Sequence, residues 1–220
     1  MTSNKKHWIA NLNFVVVEGN TGAGKTSLAK LLAQEFAANL VLETFAENPF
    51  LPKFYADSKR YGFTNELYFM LDRNEHLREL LSQNAFSTGL TFSDYVLHKS
   101  LLYAQSNLDE DEITLFQRVF QLIYGNLPKP DLIIYVHSNV PRLIENIKKR
   151  GRDFEQVVKP EYLKKMENTY FRYFEENPDL KVIILHTDNV DFVNKPQDYQ
   201  KILDVISGQA IPEGITHYHF

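Results

Sequence analysis

The residues best equipped for chemistry are Gly19, Asn20, Thr21, Gly22, Ala23, Gly24, Lys25, Thr26 and Ser27, which satisfy G-x-x-x-x-G-K-[ST] from Gly19 to Thr26 without a mismatch. The string follows an apolar run, Phe14–Val17, and opens a helical pattern. A strand–turn–helix of this kind aims successive backbone N–H groups and a positive helix end at one anion. Glycines let the backbone turn tightly and approach phosphate oxygens, Lys25 would reach the β- and γ-phosphates, and the Thr26 hydroxyl would ligate Mg²⁺. The expectation is a nucleoside-triphosphate site.

A second group of charged residues, Lys148-Lys149-Arg150-Gly151-Arg152, ends one helical pattern and precedes another. It has two readings. One is a solvated basic helix end, favourable against the helix dipole. The other is a mobile lid whose arginines stabilise charge on a phosphoryl group in flight and exclude water on closing. With the phosphate loop in the same chain, the lid reading is preferred. A guanine-reading N-K-x-D loop would mark a GTPase, but Asn194-Lys195-Pro196-Gln197 lacks the aspartate. The chain is also short for a motor or a helicase, which leaves small-substrate phosphotransferases.

These groups must be held by a frame. The runs Leu12–Glu18, Leu40–Glu43, Leu90–Ser93, Leu132–Val136 and Val182–Leu185 are near-continuously apolar, as in strands buried on both faces of a parallel sheet. Helical periodicity fills the gaps: Thr26–Ala37, Phe63–Leu81, Tyr95–Ser106, Ile113–Tyr124, Pro141–Arg150, Pro160–Glu176 and Pro196–Ile206. Strands alternating with helices predict an α/β doubly wound sheet. The expected architecture is one domain over residues 1–220, with its core at 12–207 and an irregular tail at 208–220.

Composition narrows the function classes. The 220 residues carry 24 Lys and Arg against 28 Asp and Glu, for a formal charge of −4. That balance argues against a nucleic-acid polymer as partner, since non-specific binding needs a positive field. No cysteine is present, which excludes disulfides, thiolate nucleophiles and cysteine-based zinc sites. Apolar runs fall far short of the roughly 18 residues needed to span a bilayer, so no membrane is expected. No apolar segment follows Lys5, Lys6 and His7 to suggest a signal peptide, and a cytoplasmic location is expected.

Together with the phosphate loop, the segments Glu43-Thr-Phe-Ala-Glu-Asn-Pro-Phe-Leu51, Lys53-Phe-Tyr55-Ala-Asp57, Phe63-Thr-Asn-Glu66 followed by Arg73, and Arg150-Gly-Arg152-Asp-Phe-Glu155 resemble the deoxynucleoside kinases, especially the bacterial deoxyadenosine/deoxyguanosine kinases. The resemblance spans roughly Phe14 to Leu185. It implies a P-loop kinase fold with a five-stranded parallel sheet, helices on both faces and a helical lid, assembled as a homodimer. It implies ATP as phosphate donor, with Mg²⁺, and a deoxynucleoside as acceptor.

Residue by residue, the resemblance implies that Glu43 takes the proton from the nucleoside 5′-hydroxyl. It implies that Tyr55 and Glu155 hold the sugar 3′-hydroxyl, and that Arg150 and Arg152 grip phosphates. Each has a plainer alternative: a loop cap for Glu43, a core aromatic for Tyr55, surface charge for Glu155.

Two departures from the family pattern stand out. Where the family commonly has glutamine, this chain has Glu66. An ionised carboxylate only accepts, which suits the adjacent N1–H and N2–H donors of guanine. Adenine would require a protonated Glu66 or contact through N6 alone. Arg73, about two helical turns on and so on the same face, would donate to guanine O6 and N7. The alternative is that Glu66 pairs with Arg73 or Lys99 and ignores the base. The second departure is Ser93-Asp94-Tyr95, where the family carries Asp/Glu-Arg-Ser. Asp94 can serve as the metal-side carboxylate beside Thr26 only if the strand has already ended, because successive strand side chains face opposite ways. Lys99 or a lid residue would replace the missing arginine.

Phe45, Phe54, Tyr61, Phe63 and Phe92 flank these segments, and one or two are expected to sandwich a flat base. The expected function is therefore ATP-dependent phosphorylation of a purine deoxynucleoside, deoxyguanosine or deoxyadenosine. Two alternatives stay open: a nucleoside-monophosphate kinase, and a nucleotide-binding protein with little turnover.

Overall fold

Apolar residues without alternation need a strand covered on both faces, and Phe14–Gly19 (β1) lies inside the sheet with every residue buried. The computed structural model describes residues 8–43, 48–82, 89–124, 129–208 and 210–220. The other strands are Asn39–Val41 (β2), Thr91–Ser93 (β3), Leu132–His137 (β4), Lys181–His186 (β5) and Gly214–His219 (β6). They pair in the order β2-β3-β1-β4-β5-β6, all parallel.

The sheet thus has six strands rather than the expected five. The tail expected to be irregular supplies the sixth, in register from Lys181 opposite Gly214 to His186 opposite His219. Its residues are only half buried or exposed, as on an edge strand, so it lacks the continuous apolar run that marks its neighbours.

The helices are Lys25–Glu35 (α1), Leu51–Ala56 (α2), Ser58–Ser82 (α3), Lys99–Asn107 (α4), Glu110–Tyr124 (α5), Val140–Arg150 (α6), Pro160–Glu176 (α7) and Pro196–Ser207 (α8). All seven expected helices appear, Pro160–Glu176 with the expected bounds and the other six with shifted ones, and α2 is additional. α4 starts later than the expected Tyr95 because Ser93 closes a turn, its Oγ bonding both the N–H and the carbonyl of Tyr95. α6 begins as its sequence requires: the Asn139 side chain accepts from the Arg142 N–H at 3.0 Å, and Pro141 follows.

One face of the sheet packs Val15, Val17, Ile134 and Val136 against Leu28 and Leu32 of α1, Leu143 of α6 and Ile202 of α8. The other packs Ile133, Tyr135 and Ile184 against Leu102 of α4 and Tyr170 and Phe174 of α7. From β1 the chain runs to the outer β2, returns to β3, then crosses to β4 on the far side of β1. The carboxyl ends of β1, β2 and β3 therefore meet at a topological switch point, where open α/β sheets hold their ligands. Gly19, Glu43 and Asp94 all lie there.

Candidate active site

The phosphate loop leaves β1 and enters α1 as its spacing predicts. Gly19 has φ 148°, and a Cβ there would lie 2.5 Å from the Val136 carbonyl oxygen. Gly22 has φ 85°, and a Cβ would meet the Leu143 carbonyl oxygen at 2.7 Å. Only glycine fits either position. Asn20 secures the loop by donating to the Leu163 carbonyl at 2.7 Å and accepting from the Thr21 N–H at 3.1 Å. Asn146 of α6 donates to the Gly22 carbonyl at 2.8 Å. Lys25 folds back so that its Nζ donates to the Asn20 carbonyl at 3.0 Å. Burial, and next the charge of Lys99, lowers the Lys25 ammonium to about 8.

The strand does end at Ser93, so Asp94 turns toward the loop. Its Oδ2 accepts from the Thr26 hydroxyl at 2.5 Å, and its Oδ1 accepts from the Glu43 N–H at 2.8 Å. One carboxylate thereby fastens the ends of β2 and β3 to the first turn of α1.

Glu43 is held by two cations. Arg73 reaches its Oε1 from Nε at 2.8 Å and from Nη2 at 2.5 Å, while Lys99 donates to Oε2 at 2.8 Å. Burial alone would raise the Glu43 carboxyl, but Arg73 and then Lys99 outweigh it and hold it at about 2. Arg73 also donates from Nη1 to the Ser100 hydroxyl at 2.7 Å. This moves Arg73 from the role expected of it: three of its nitrogens serve Glu43 and Ser100 instead of pointing to a base. Two positive charges, Lys99 and Arg73, lie beside Glu43 at this end of the site.

Glu66 does not pair with Arg73 or Lys99. It is buried, and its Oε1 accepts from Asn65 at 3.1 Å and from Asn107 at 2.9 Å. Burial pushes its carboxyl up against those two amide donors. Tyr55 stacks on Phe154, ring centroids 6.0 Å apart. Burial raises its phenol, which stays neutral. Glu155 accepts from Arg150 (3.1 and 2.5 Å) and from Arg152 (3.0 Å), so both lid arginines converge on one acid in the short turn Asp153–Glu155 between α6 and α7.

Two cavities meet here. One, of about 730 Å³, is lined by Glu43, Tyr55, Glu66, Arg73, Asp94 and Glu155 among others. The second, of about 1620 Å³, is lined by Gly22 to Ser27 together with Lys30, Arg142, Lys149 and Asn194. Lys25, Thr26, Glu43, Arg150 and Arg152 belong to both. A basic chamber over the phosphate loop thus opens onto a chamber rich in carboxylates.

Of the aromatics expected near a base, Phe54 lines the smaller cavity. Tyr61 packs beside Phe54 and Phe69. Phe63 and Phe92 belong to the core, against Phe116 and Phe36 respectively, and Phe45 lies outside the described residues. Sequence reasoning missed Phe69, Tyr103, Asn107 and Glu18. Phe69 shares the face of Glu66 and Arg73 at i, i+3, i+7, and Lys99, Tyr103 and Asn107 form an i, i+4, i+8 row along α4, so helical spacing could have found them. Glu18 is buried directly before the loop; its Oε2 accepts from Tyr170 at 2.9 Å, and Oε1 has no partner among the described residues.

The deoxynucleoside kinase family profile matches residues 15–211. The chain belongs to the deoxynucleoside kinase family. The kinase is 32% identical to the deoxyguanosine kinase of Bacillus subtilis (strain 168), over 86% of this chain and 93% of that protein. It is 30% identical to the deoxyadenosine kinase of Lactobacillus acidophilus, over 89% of this chain and 95% of that one. Among solved structures, deoxyadenosine kinase from M. mycoides with bound dCTP matches at TM-score 0.74 and 20% identity, covering 89% of this chain and 100% of that chain, a likeness of fold. This kinase is accordingly a phosphotransferase that phosphorylates nucleosides. Among the described residues, no helix is long and apolar enough to cross a membrane.

Proposed function

We propose that this kinase transfers the γ-phosphoryl group of ATP to the 5′-hydroxyl of a purine deoxynucleoside, deoxyguanosine ahead of deoxyadenosine, in nucleotide salvage. The observation that carries the reading is the pair of chambers joined at Lys25, Thr26, Glu43, Arg150 and Arg152. ATP enters over the loop from Gly19 to Ser27, and the nucleoside lies among Tyr55, Glu66, Asp94 and Glu155.

Glu43, between the two, orients the 5′-hydroxyl and accepts its proton. A carboxyl held at about 2 is a weak base. That suffices for a loose phosphoryl-transfer transition state, in which positioning counts for more than early proton removal. Arg73 and Lys99 fix the direction of the Glu43 oxygens. Lys25, Arg150 and Arg152 are the cations for charge on the transferred group. The two arginines exchange Glu155 for phosphate oxygens as the lid closes, and Glu155 is then free, with Tyr55, for the sugar 3′-hydroxyl.

Mg²⁺ fits the hard oxygen donors presented by Thr26 and Asp94, which already share a hydrogen bond at the first turn of α1. Thr26 and Asp94 would hold it, and there it would supply positive charge to offset that of the phosphates.

Glu66 carries the base preference. Guanine brings two N–H donors that stabilise the ionised carboxyl against its burial, as Asn65 and Asn107 do in part. Adenine brings one donor and one acceptor, which match the protonated form. A monophosphate acceptor is disfavoured because the Glu43 carboxylate would repel its phosphate, and the nearby cations Arg73 and Lys99 are committed to Glu43. A location in the cytoplasm, a single domain and a homodimer complete the reading; Leu115 and Leu122 on α5 are exposed apolar residues that suit an interface.

The test is nucleoside-dependent ADP release from ATP and Mg²⁺, run with the four deoxynucleosides and with dGMP and dAMP. Turnover led by a purine deoxynucleoside is expected. Turnover led by a monophosphate, or ATP binding with no stimulation by any nucleoside, would overturn the proposal.

A further inference from the structure

Four of the chain's seven histidines gather at the carboxyl ends of the last three strands, on the sheet face that carries α7. His137 of β4, His186 of β5 and His219 of β6 are in lateral register, and His217 lies two residues before His219, on the same face. The Nδ1 atoms of His137 and His186 are 3.1 Å apart, and Nε2 of His186 is 3.0 Å from Nδ1 of His217. His219 stacks on His186 with ring centroids 3.9 Å apart. Nitrogens of His186, His217 and His219 lie within 4.8 Å of one another, and His217 and His219 are exposed.

A carboxylate sets the direction of this row. Glu167 of α7 lies 3.8 Å from Nε2 of His137, and Lys164 donates to its other oxygen at 2.6 Å. The tautomers decide which ring donates between His137 and His186 and between His186 and His217. With the His137 N–H turned toward Glu167, its Nδ1 would accept from the Nδ1–H of His186 and leave Nε2 of His186 as a lone pair for an ion, the ring being oriented from behind as outer partners orient a metal-ligating histidine.

We propose that His186, His217 and His219 form a binding site for one divalent transition-metal ion, of the class that prefers imidazole, and that the ion ties the edge strand β6 to β5. Imidazole ligands suit zinc, copper and nickel. Nitrogens bound at the 2.0–2.1 Å of zinc in a tetrahedron sit about 3.3 Å apart. The 3.0 Å between His186 and His217 needs little change. His219 must turn its ring out of the stack, a rotation that an exposed side chain at a strand end can make. The solvent side offers the fourth position to water. This site is separate from Thr26 and Asp94 and does not depend on the nucleoside reading.

The test uses the full chain, stripped with a chelator and free of nucleotide, titrated with Co²⁺ and followed by its visible d–d absorption, with Tm measured against Zn²⁺. Binding of one Co²⁺ per chain with tetrahedral or five-coordinate bands is expected. Zn²⁺ at a hundredfold excess over its Kd should raise Tm by roughly 5–10 °C. His217→Ala with His219→Ala should abolish both effects while keeping the metal-free Tm, and Asp94→Asn should keep both. His186→Asn gives a second, independent loss. No bands at saturating Co²⁺, or bands and a Tm shift that survive the double substitution, would overturn the proposal.

Discussion

Arg73 and Glu66 project from the same face of α3, yet Arg73 clasps Oε1 of Glu43 through Nε and Nη2 while Glu66 turns to Asn65 and Asn107. One helix face thus serves two tasks. Seven residues of spacing separate the carboxylate that meets Asn65 and Asn107 from the guanidinium that meets Glu43. The pairing leaves Glu43 ionised at every working pH and its oxygens fixed. Glu43→Gln keeps the shape and removes the charge, so kcat should fall by ~10²–10⁴-fold, with a much smaller change in nucleoside KM. Steady-state kinetics of the variant check this.

Lys99 should matter for stability as well as rate. Its ammonium is buried and donates to Glu43 at 2.8 Å, and hydrogen bonds to charged groups are worth about 1.5–3 kcal/mol. Lys99→Met should lower unfolding free energy by that amount in a denaturant titration. It should also let the Glu43 carboxyl climb from about 2, because Arg73 is then its only close cation among the described residues.

Lys25 makes a calorimetric prediction. Burial and Lys99 lower its ammonium to about 8, so above that pH the nucleotide-free enzyme has a largely neutral Lys25. A polyanion beside it favours the charged form and raises it again. ATP binding at pH 8.5 should therefore take up a proton, seen as a binding enthalpy that depends on the buffer's ionisation heat. Near pH 6.5 this uptake should vanish, and Lys25→Arg should remove it at both.

Asp94 is expected to govern the metal requirement. Asp94→Asn loses a charge next to Thr26 but keeps an oxygen for the Glu43 N–H. The Mg²⁺ concentration for half-maximal activity should rise by roughly 10–100-fold. ATP binding measured without Mg²⁺ should barely change.

The legible parts of this chain were those where one physical requirement dominates. Phe14–Gly19 and Leu132–His137 are covered on both faces and spell continuous apolar runs. Gly19 and Gly22 sit against backbone oxygens, so the phosphate loop could be read directly. β6 was hidden because Gly214–His219 is a half-exposed edge with four polar or ionisable residues in six. The start of α3 was hidden by Gly62, a poor helix residue at a close approach, where a Cβ would come within 3.3 Å of the Asn107 carbonyl oxygen. Asp94 was placed correctly at a strand end because alternation along a strand allows only that. Arg73 was placed on the right face, and the partners it meets there are Glu43 and Ser100. Helical spacing fixes the side of α3, while the tertiary approach of β2 decides which acid it meets.

The claim that most needs testing is that the Glu66 carboxylate selects the purine. The direct measurement is the ratio of kcat/KM for deoxyguanosine to that for deoxyadenosine, in wild type and Glu66→Gln, with ADP release as readout. Wild type should favour deoxyguanosine, and the glutamine, offering one donor and one acceptor, should shift the ratio toward deoxyadenosine by about tenfold or more, the worth of one mismatched hydrogen bond. A wild-type preference for deoxyadenosine, or a ratio unmoved by the substitution, would contradict it.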